Sequence, residues 1–255
     1  MSAFRESWRD EFFAALTFLT RLPLGRVQAD APLASLADAA WAFPLVGLVI
    51  GAIGGVAYAV AFSIGLPALA AALIAVAATA LVTGALHEDG LADTADGFGG
   101  GATREAKLEI MRDSRIGSFG VIALVVGIGL RTIAIADTGT PSHAFLALIA
   151  AHALSRGMLP AALLKLDPAR TDGLGAGAGR PEQKQVLIAL TLALVIAVIA
   201  TGFRAGLSAT IVALIVALAT GWLAQRQIGG QTGDVLGAIE QGAETAALLA
   251  AAAWT

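Results

Sequence analysis

The sequence predicts an all-α fold, a polytopic transmembrane bundle of about seven helices behind an N-terminal amphipathic interfacial helix. Three observations carry that reading. Hydrophobic residues fill 57% of the 255 positions and charged residues 14%, and the mean hydropathy is +0.80, which places the chain among membrane proteins. Several charge-poor stretches run for about 20 residues, the length that crosses a bilayer as a helix. The basic residues also gather on one side of the alternating loops. All of 1–255 reads as a single integral membrane domain, with 87–118 a cytoplasmic acidic segment inside it.

Residues 1–26 place Trp8, Phe12, Leu16 and Leu19 near helical spacing, with Arg5, Arg9 and Asp10 among polar positions. That apolar run is too short to span, so the segment reads as a helix at the interface or tucked into the bundle. The first span is 43–65, where Gly47, Gly51 and Gly55 make a small-xxx-small face for close helix packing. The second, 68–86, runs straight into the acidic segment. Further spans are 119–136, 144–164, 186–202, 207–224 and 235–254. With a cytoplasmic N-terminus, the inside loops 1–42, 87–118, 165–185 and 225–234 hold thirteen of the sixteen Lys and Arg residues. Only Arg204 lies outside, and Arg131 and Arg156 fall within spans, where they should face the bundle interior.

No cysteine is present, which removes disulfides, thiolate metal sites and thiol nucleophiles. Any metal must be held mainly by oxygen, so magnesium or manganese is expected. A net charge of -3, with no basic patch interleaved with aromatics, argues against a nucleic-acid partner.

Chemistry concentrates in 87–120, which holds seven of the nineteen acids: Glu88, Asp89, Asp93, Asp96, Glu105, Glu109 and Asp113. On a helix, Asp89, Asp93 and Asp96 share an arc of roughly 60°. Like charges at that spacing repel, which invites a cation. Glu105, Glu109 and Asp113 repeat the spacing. Arg104, Lys107, Arg112 and Arg115 follow, and carboxylates for metal beside arginines for phosphate suit phosphoryl transfer. His87 reads either as a general base or as a boundary histidine that hydrogen-bonds a neighbour. For Arg131 and Arg156 the alternatives are a buried acid or a substrate phosphate. The glycine-rich 173–179 reads as a flexible loop, since it lacks the flanking strand and helix of a dinucleotide fold. Asp234 either completes a metal site or orients a base, or else Thr232 or Asp234 is simply the N-cap of a helix.

HEDGLADTADG at 87–97, MRDSRIGSFG at 111–120, SRGMLPA around Arg156 and GGQTGDVLGAIEQGAE at 229–244 together resemble the cobalamin synthase family. FLTRLPLG at 18–25 and FPLVGLVIG at 43–51 extend the likeness to nearly the whole chain. The resemblance implies a magnesium-dependent enzyme of the late cobalamin pathway in the bacterial cytoplasmic membrane. Such an enzyme joins adenosylcobinamide-GDP to α-ribazole, or to α-ribazole 5'-phosphate, and releases GMP. It further implies Mg2+ on Asp89, Asp93 and Asp96, with a second ion shared with Asp113. Asp96 or His87 would take the hydroxyl proton, and Arg112, Arg115 or Arg156 would hold phosphate oxygens. A homo-oligomer is left open. The rival reading is a cation-coupled transporter, whose acids would sit near the bilayer midplane in broken helices.

Overall fold

The computed structural model describes residues 2–23 and 35–254. They form helices joined by short turns; the single β-bridge among them pairs Pro168 with Gln231. The first helix, α1 (Ser2–Leu19), buries Ala15, Leu16 and Leu19. It docks through Trp8, whose ring centroid lies 5.0 Å from that of Trp41, and Trp41 Nε1 donates to Glu11 Oε2 at 2.6 Å. The segment expected at the interface or tucked into the bundle thus packs against Trp41; residues 24–26 of it lie outside the described residues.

Helix α2 (Ser35–Ala39) leads through one 3-10 turn into α3 (Phe43–Ser63), which packs along α8 (Pro141–Lys165). A Cβ on Gly51 would stand 2.5 Å from Leu148 O, and one on Gly55 would stand 2.9 Å from Phe145 Cα. These glycines let two backbones touch, as the small-residue spacing predicts.

Helix α4 (Ala68–Thr83) does not run straight into the acidic segment. It meets α5 (Leu86–Gly100) at 93°. Gly84 (φ 67°) and Ala85 (φ 55°) both adopt the left-handed conformation, which costs a non-glycine residue about 1–2 kcal/mol. Ala85 N donates to Ala80 O at 2.7 Å, satisfying a carbonyl at the end of α4. Arg21 N donates to Val82 O at 2.6 Å and pins the segment after α1 to this corner.

Helix α6 (Arg104–Ile110) ends before Asp113, so Glu105, Glu109 and Asp113 do not share one helix face as their spacing suggested. After it come α7 (Ser118–Ala136), α8, the short α9 (Gly173–Gly177), α10 (Gln183–Thr201), α11 (Phe203–Ile228) and α12 (Gly233–Ala252). Among the described residues, five helical stretches are long and apolar enough to cross a membrane alone: 36–63, α7, α8, α10 and α11; the bent α4–α5 pair makes a sixth. This revises the expected count of about seven. Alone, α4 has only 16 residues, and α12 carries Asp234, Glu240 and Glu244 while packing among α5, α7, α8 and α11.

The bundle is apolar outside, and its largely apolar interior holds a cluster of buried polar and charged side chains. Val121, Ile122, Val125 and Val126 of α7 and Ile211, Ile215 and Leu218 of α11 are exposed, a surface suited to lipid tails. The central helix α8 is enclosed along most of its length and carries His152, Ser155 and Arg156 inward.

Candidate active site

The site is built where α5 crosses α12. A Cβ on Gly90 would lie 2.8 Å from Asp234 O and 3.1 Å from Gly237 Cα. Two glycines thus permit a backbone contact that any side chain would block. The approach brings the α5 acids beside the first turn of α12. Asp93 lies in the field of Asp89, Asp234 and Asp96, with Arg170 the one opposing cation. Excess negative charge of this kind is the environment a hard cation relieves.

The three aspartates expected on one face divide their tasks. Asp96 is buried, and its carboxylate accepts from Gly117 N at 2.7 Å and Gly120 N at 2.8 Å. It thereby satisfies amide groups at the start of α7, which no intrahelical carbonyl can reach. Asp113 lies beyond α6 and is clasped by Arg115, with Nη2 2.6 Å from Oδ2. Hydrogen bonds from Arg115 hold the Asp113 carboxyl down at about 2.

Below the acids lies a buried charge network. Arg131 Nη1 is 3.2 Å from Glu88 Oε1 and 3.0 Å from Glu244 Oε1. Arg156 Nη1 pairs with Glu240 and lies 3.3 Å from Glu244 Oε2. His152 Nδ1 is 2.9 Å from Glu244 Oε2, and Ser155 Oγ donates to Glu240 Oε1 at 2.6 Å. Gln241 Nε2 bridges Glu240 Oε2 at 3.0 Å and Glu88 Oε1 at 3.3 Å. Both intramembrane arginines therefore face acids of the bundle interior, and Arg156 is only 1% exposed. Among the described residues, His152, Glu240 and Glu244 are the one trio with donor atoms within 4.8 Å of one another. The Arg156 guanidinium already stands among them, so the cation of that trio is an arginine.

His87 joins the two layers. Its Nδ1 lies 3.4 Å from Glu240 Oε2 and 3.5 Å from Arg156 Nη2. A proton on Nδ1 suits the carboxylate and a lone pair suits the guanidinium; among the described residues, none hydrogen-bonds to Nε2.

The segment after α8 folds back over the acids. Gln231 N donates to Asp167 O and Ala169 N to Gln231 O, both at 2.8 Å, while Arg104 Nε donates to Ile228 O at 2.8 Å. A relay of alternating charge results. Arg112 Nη2 is 2.9 Å from Asp172 Oδ1, Arg170 Nε is 3.7 Å from the same oxygen, and Arg170 Nη2 is 3.3 Å from Asp234 Oδ2. Hydrogen bonding to Arg112 lowers the Asp172 carboxyl below its ordinary value. Thr232 caps α12 by accepting from Val235 N at 3.2 Å, and its hydroxyl also donates to Asp234 Oδ2 at 3.1 Å. Sequence reasoning missed Arg170, Glu88 and Gln241. Glu88 adjoins Asp89 and Gln241 sits within the 229–244 motif, so proximity to motif acids was the available signal.

A family model described as cobalamin-5-phosphate synthase matches residues 11–252. A Bradyrhizobium diazoefficiens protein named adenosylcobinamide-GDP ribazoletransferase is 49% identical over 240 residues, covering 94% of this chain and 92% of its own. Proteins of the same name from Mesorhizobium japonicum and Azorhizobium caulinodans are 44% and 47% identical, covering 95% and 92% of this chain and 92% of each relative. No solved structure matches. The likeness runs through both α5 and α12, whose acids meet at the crossing, and the chain belongs to the cobalamin-5-phosphate synthase family.

Proposed function

We propose that this protein is an adenosylcobinamide-GDP ribazoletransferase, acting in the bacterial cytoplasmic membrane with its site on the cytoplasmic side. It joins adenosylcobinamide-GDP to α-ribazole, or to α-ribazole 5'-phosphate, with release of GMP. The supporting observation is the meeting of Asp89, Asp93 and Asp234 at the glycine-mediated crossing of α5 and α12. Hard oxygen donors in excess negative charge suit Mg2+, and Asp89, Asp93 and Asp234 would hold it once their carboxylates draw together around the ion. When bound, the ion supplies neutralisation of charge on the donor diphosphate.

The chain's own residues do the rest. Arg170, Arg112 and Arg115 exchange their aspartate partners for phosphate oxygens, a geometry the guanidinium fork favours. His87, protonated on Nδ1 toward Glu240, uses its Nε2 lone pair to take the proton of the ribazole 3'-hydroxyl. It is preferred to Asp96 because both Asp96 oxygens already hold backbone N–H groups. The deprotonated oxygen bonds to the phosphorus that carries cobinamide. The bond from that phosphorus to the bridging oxygen breaks, and GMP leaves with the bridging oxygen. Arg156 keeps Glu240 facing His87. The test is to incubate the purified protein in lipid nanodiscs with Mg2+ and both substrates. Release of GMP supports the reading, and no GMP with well-folded protein contradicts it.

A further inference from the structure

Away from the acids, α8 and α11 leave between them a groove of about 160 Å³ on the lipid-facing side of the bundle. A cavity of about 150 Å³ admits a benzene molecule, so a stretch of hydrocarbon chain fits here and a broad ring system does not. Leu214, Leu218 and Trp222 recur every four residues along α11 and form one wall, all three exposed. Met158, Ala162 and Lys165 of α8 form the other, and buried Ile239 of α12 closes the groove from behind. Gly221 keeps it open, because a Cβ there would stand 3.4 Å from Leu166 Cδ1 and 4.0 Å from Ile239 Cδ1.

The rim at the end of both helices is cationic. Lys165 is the last residue of α8, and Arg226 lies in the last turn of α11, where it continues the four-residue spacing of the wall. Arg226 Cζ is 4.3 Å from the Trp222 ring centroid, which fixes the guanidinium beside that wall. Both cations are exposed, and among the described residues neither pairs with an acid. Asp167, the acid nearest Lys165 in the chain, stands 3.3 Å from Arg180 Nη1 instead.

We infer that this groove binds an anionic phospholipid, with an acyl chain lying between α8 and α11 and the phosphate at Lys165 and Arg226. Charge selects the occupant. Two unpaired cations sit at the helix ends, beside an indole of the kind that marks the membrane interface, and they complement a headgroup of net negative charge. A zwitterionic headgroup brings its own cation beside them. A second copy of the chain fits less well, because two-fold symmetry about the membrane normal sets Lys165 and Arg226 of both copies at one depth, cation against cation. A helix about 10 Å across also does not enter so narrow a groove. The lipid bears on the site through its two walls. Just beyond Arg226, Gln227 Oε1 accepts from Lys107 Nζ and Ile228 O from Arg104 Nε, while Lys165 leads into the loop whose Arg170 reaches Asp234. A lipid that ties α8 to α11 therefore steadies two supports of the acid cluster.

The test is the lipid selectivity of the intact protein, and it needs no substrate. In neutral detergent titrated with phosphatidylglycerol or with phosphatidylcholine, native mass spectra of wild type should show phosphatidylglycerol retained at the lower lipid concentration. Lys165→Gln and Arg226→Gln, both surface changes, should each lower that preference about 5-fold, the worth of one basic residue beside an anionic headgroup. The double variant should lose the preference. Ala217→Phe, which fills the groove and leaves both cations in place, should weaken retention of phosphatidylglycerol as well. Adding phosphatidylglycerol to phosphatidylcholine nanodiscs should raise the unfolding temperature of wild type and leave that of the double variant unchanged. Equal retention of the two lipids by wild type overturns the inference, as does a double variant that keeps the wild-type preference. An inserted Ala217→Phe protein that holds phosphatidylglycerol as wild type does also overturns it, since the cations would then attract lipid without the groove. If Ala217→Phe fails to insert, the exposed charge variants decide the question by themselves.

Discussion

Gly90 of α5 and Gly237 of α12 stand so close that a Cβ on Gly90 would lie 3.1 Å from Gly237 Cα. The three atoms nearest that Cβ, Asp234 O, Asp234 Cα and Gly237 Cα, are all backbone, which cannot swing away as a side-chain end can. Gly90→Ala should therefore force the two helices apart, at a cost of about 1–3 kcal/mol typical of overpacking. Thermal unfolding in nanodiscs should shift down, and turnover should fall further than the lost stability explains, because Asp89 and Asp93 move away from Asp234. Wild-type turnover in a folded Gly90→Ala protein would show that the crossing does not set the site.

Asp96 differs from its neighbours on the same helix. Asparagine there keeps one acceptor oxygen but turns an NH2 group toward an amide N–H, leaving at least one buried donor unpaired at about 1–3 kcal/mol. Asp96→Asn should thus lower both the unfolding temperature and activity, and hydrogen exchange should rise at the start of α7. Asp89→Asn and Asp93→Asn should lose activity without that local opening.

Arg156 is expected to act through acids and not through substrate. Arg156→Met removes the partner of buried Glu240 and should destabilise by about 3–5 kcal/mol, as breaking a buried pair does. Arg156→Lys keeps the charge but loses the planar fork, so unfolding should shift less while His87 loses its fixed surroundings and kcat falls. A variant with normal stability and only a raised KM for the donor would instead put Arg156 on the phosphate.

Arg170 links Asp234 to Asp172, and removing it should act on binding. Arg170→Ala should raise KM for adenosylcobinamide-GDP about 10-fold, the worth of one charge-assisted hydrogen-bonding partner, with little change in unfolding temperature. An unchanged KM would assign Arg170 to loop docking alone.

Much of this was legible from local pattern. The acidic row lies on a helix because 86–100 carries no proline, and the glycines of α3 pack where a four-residue repeat puts them on one face. The inward turn of Arg131 and Arg156 followed from the cost of a lipid-facing charge. What stayed hidden depends on distant partners. Nothing near Asp96 announces that Gly117 and Gly120 will donate to it, and the ion pairs of Glu88 and Glu244 appear only once α5, α7 and α12 are packed. Arg170 lies in a polar loop that reads as solvated until its backbone pairs with Gln231. The right angle at Gly84 and Ala85 was missed because alanine seldom adopts a left-handed conformation.

The central claim is that Asp89, Asp93 and Asp234 hold a catalytic cation at the α5–α12 crossing, and GMP release across a magnesium titration tests it most directly. Wild type is compared with Asp89→Asn, Asp93→Asn and Asp234→Asn, each inserted to the same level. Removing one carboxylate weakens a hard-cation site held by oxygen, so half-maximal activity should move to at least about 10-fold higher magnesium, or turnover should vanish. Three variants that follow the wild-type curve at limiting magnesium would contradict the account.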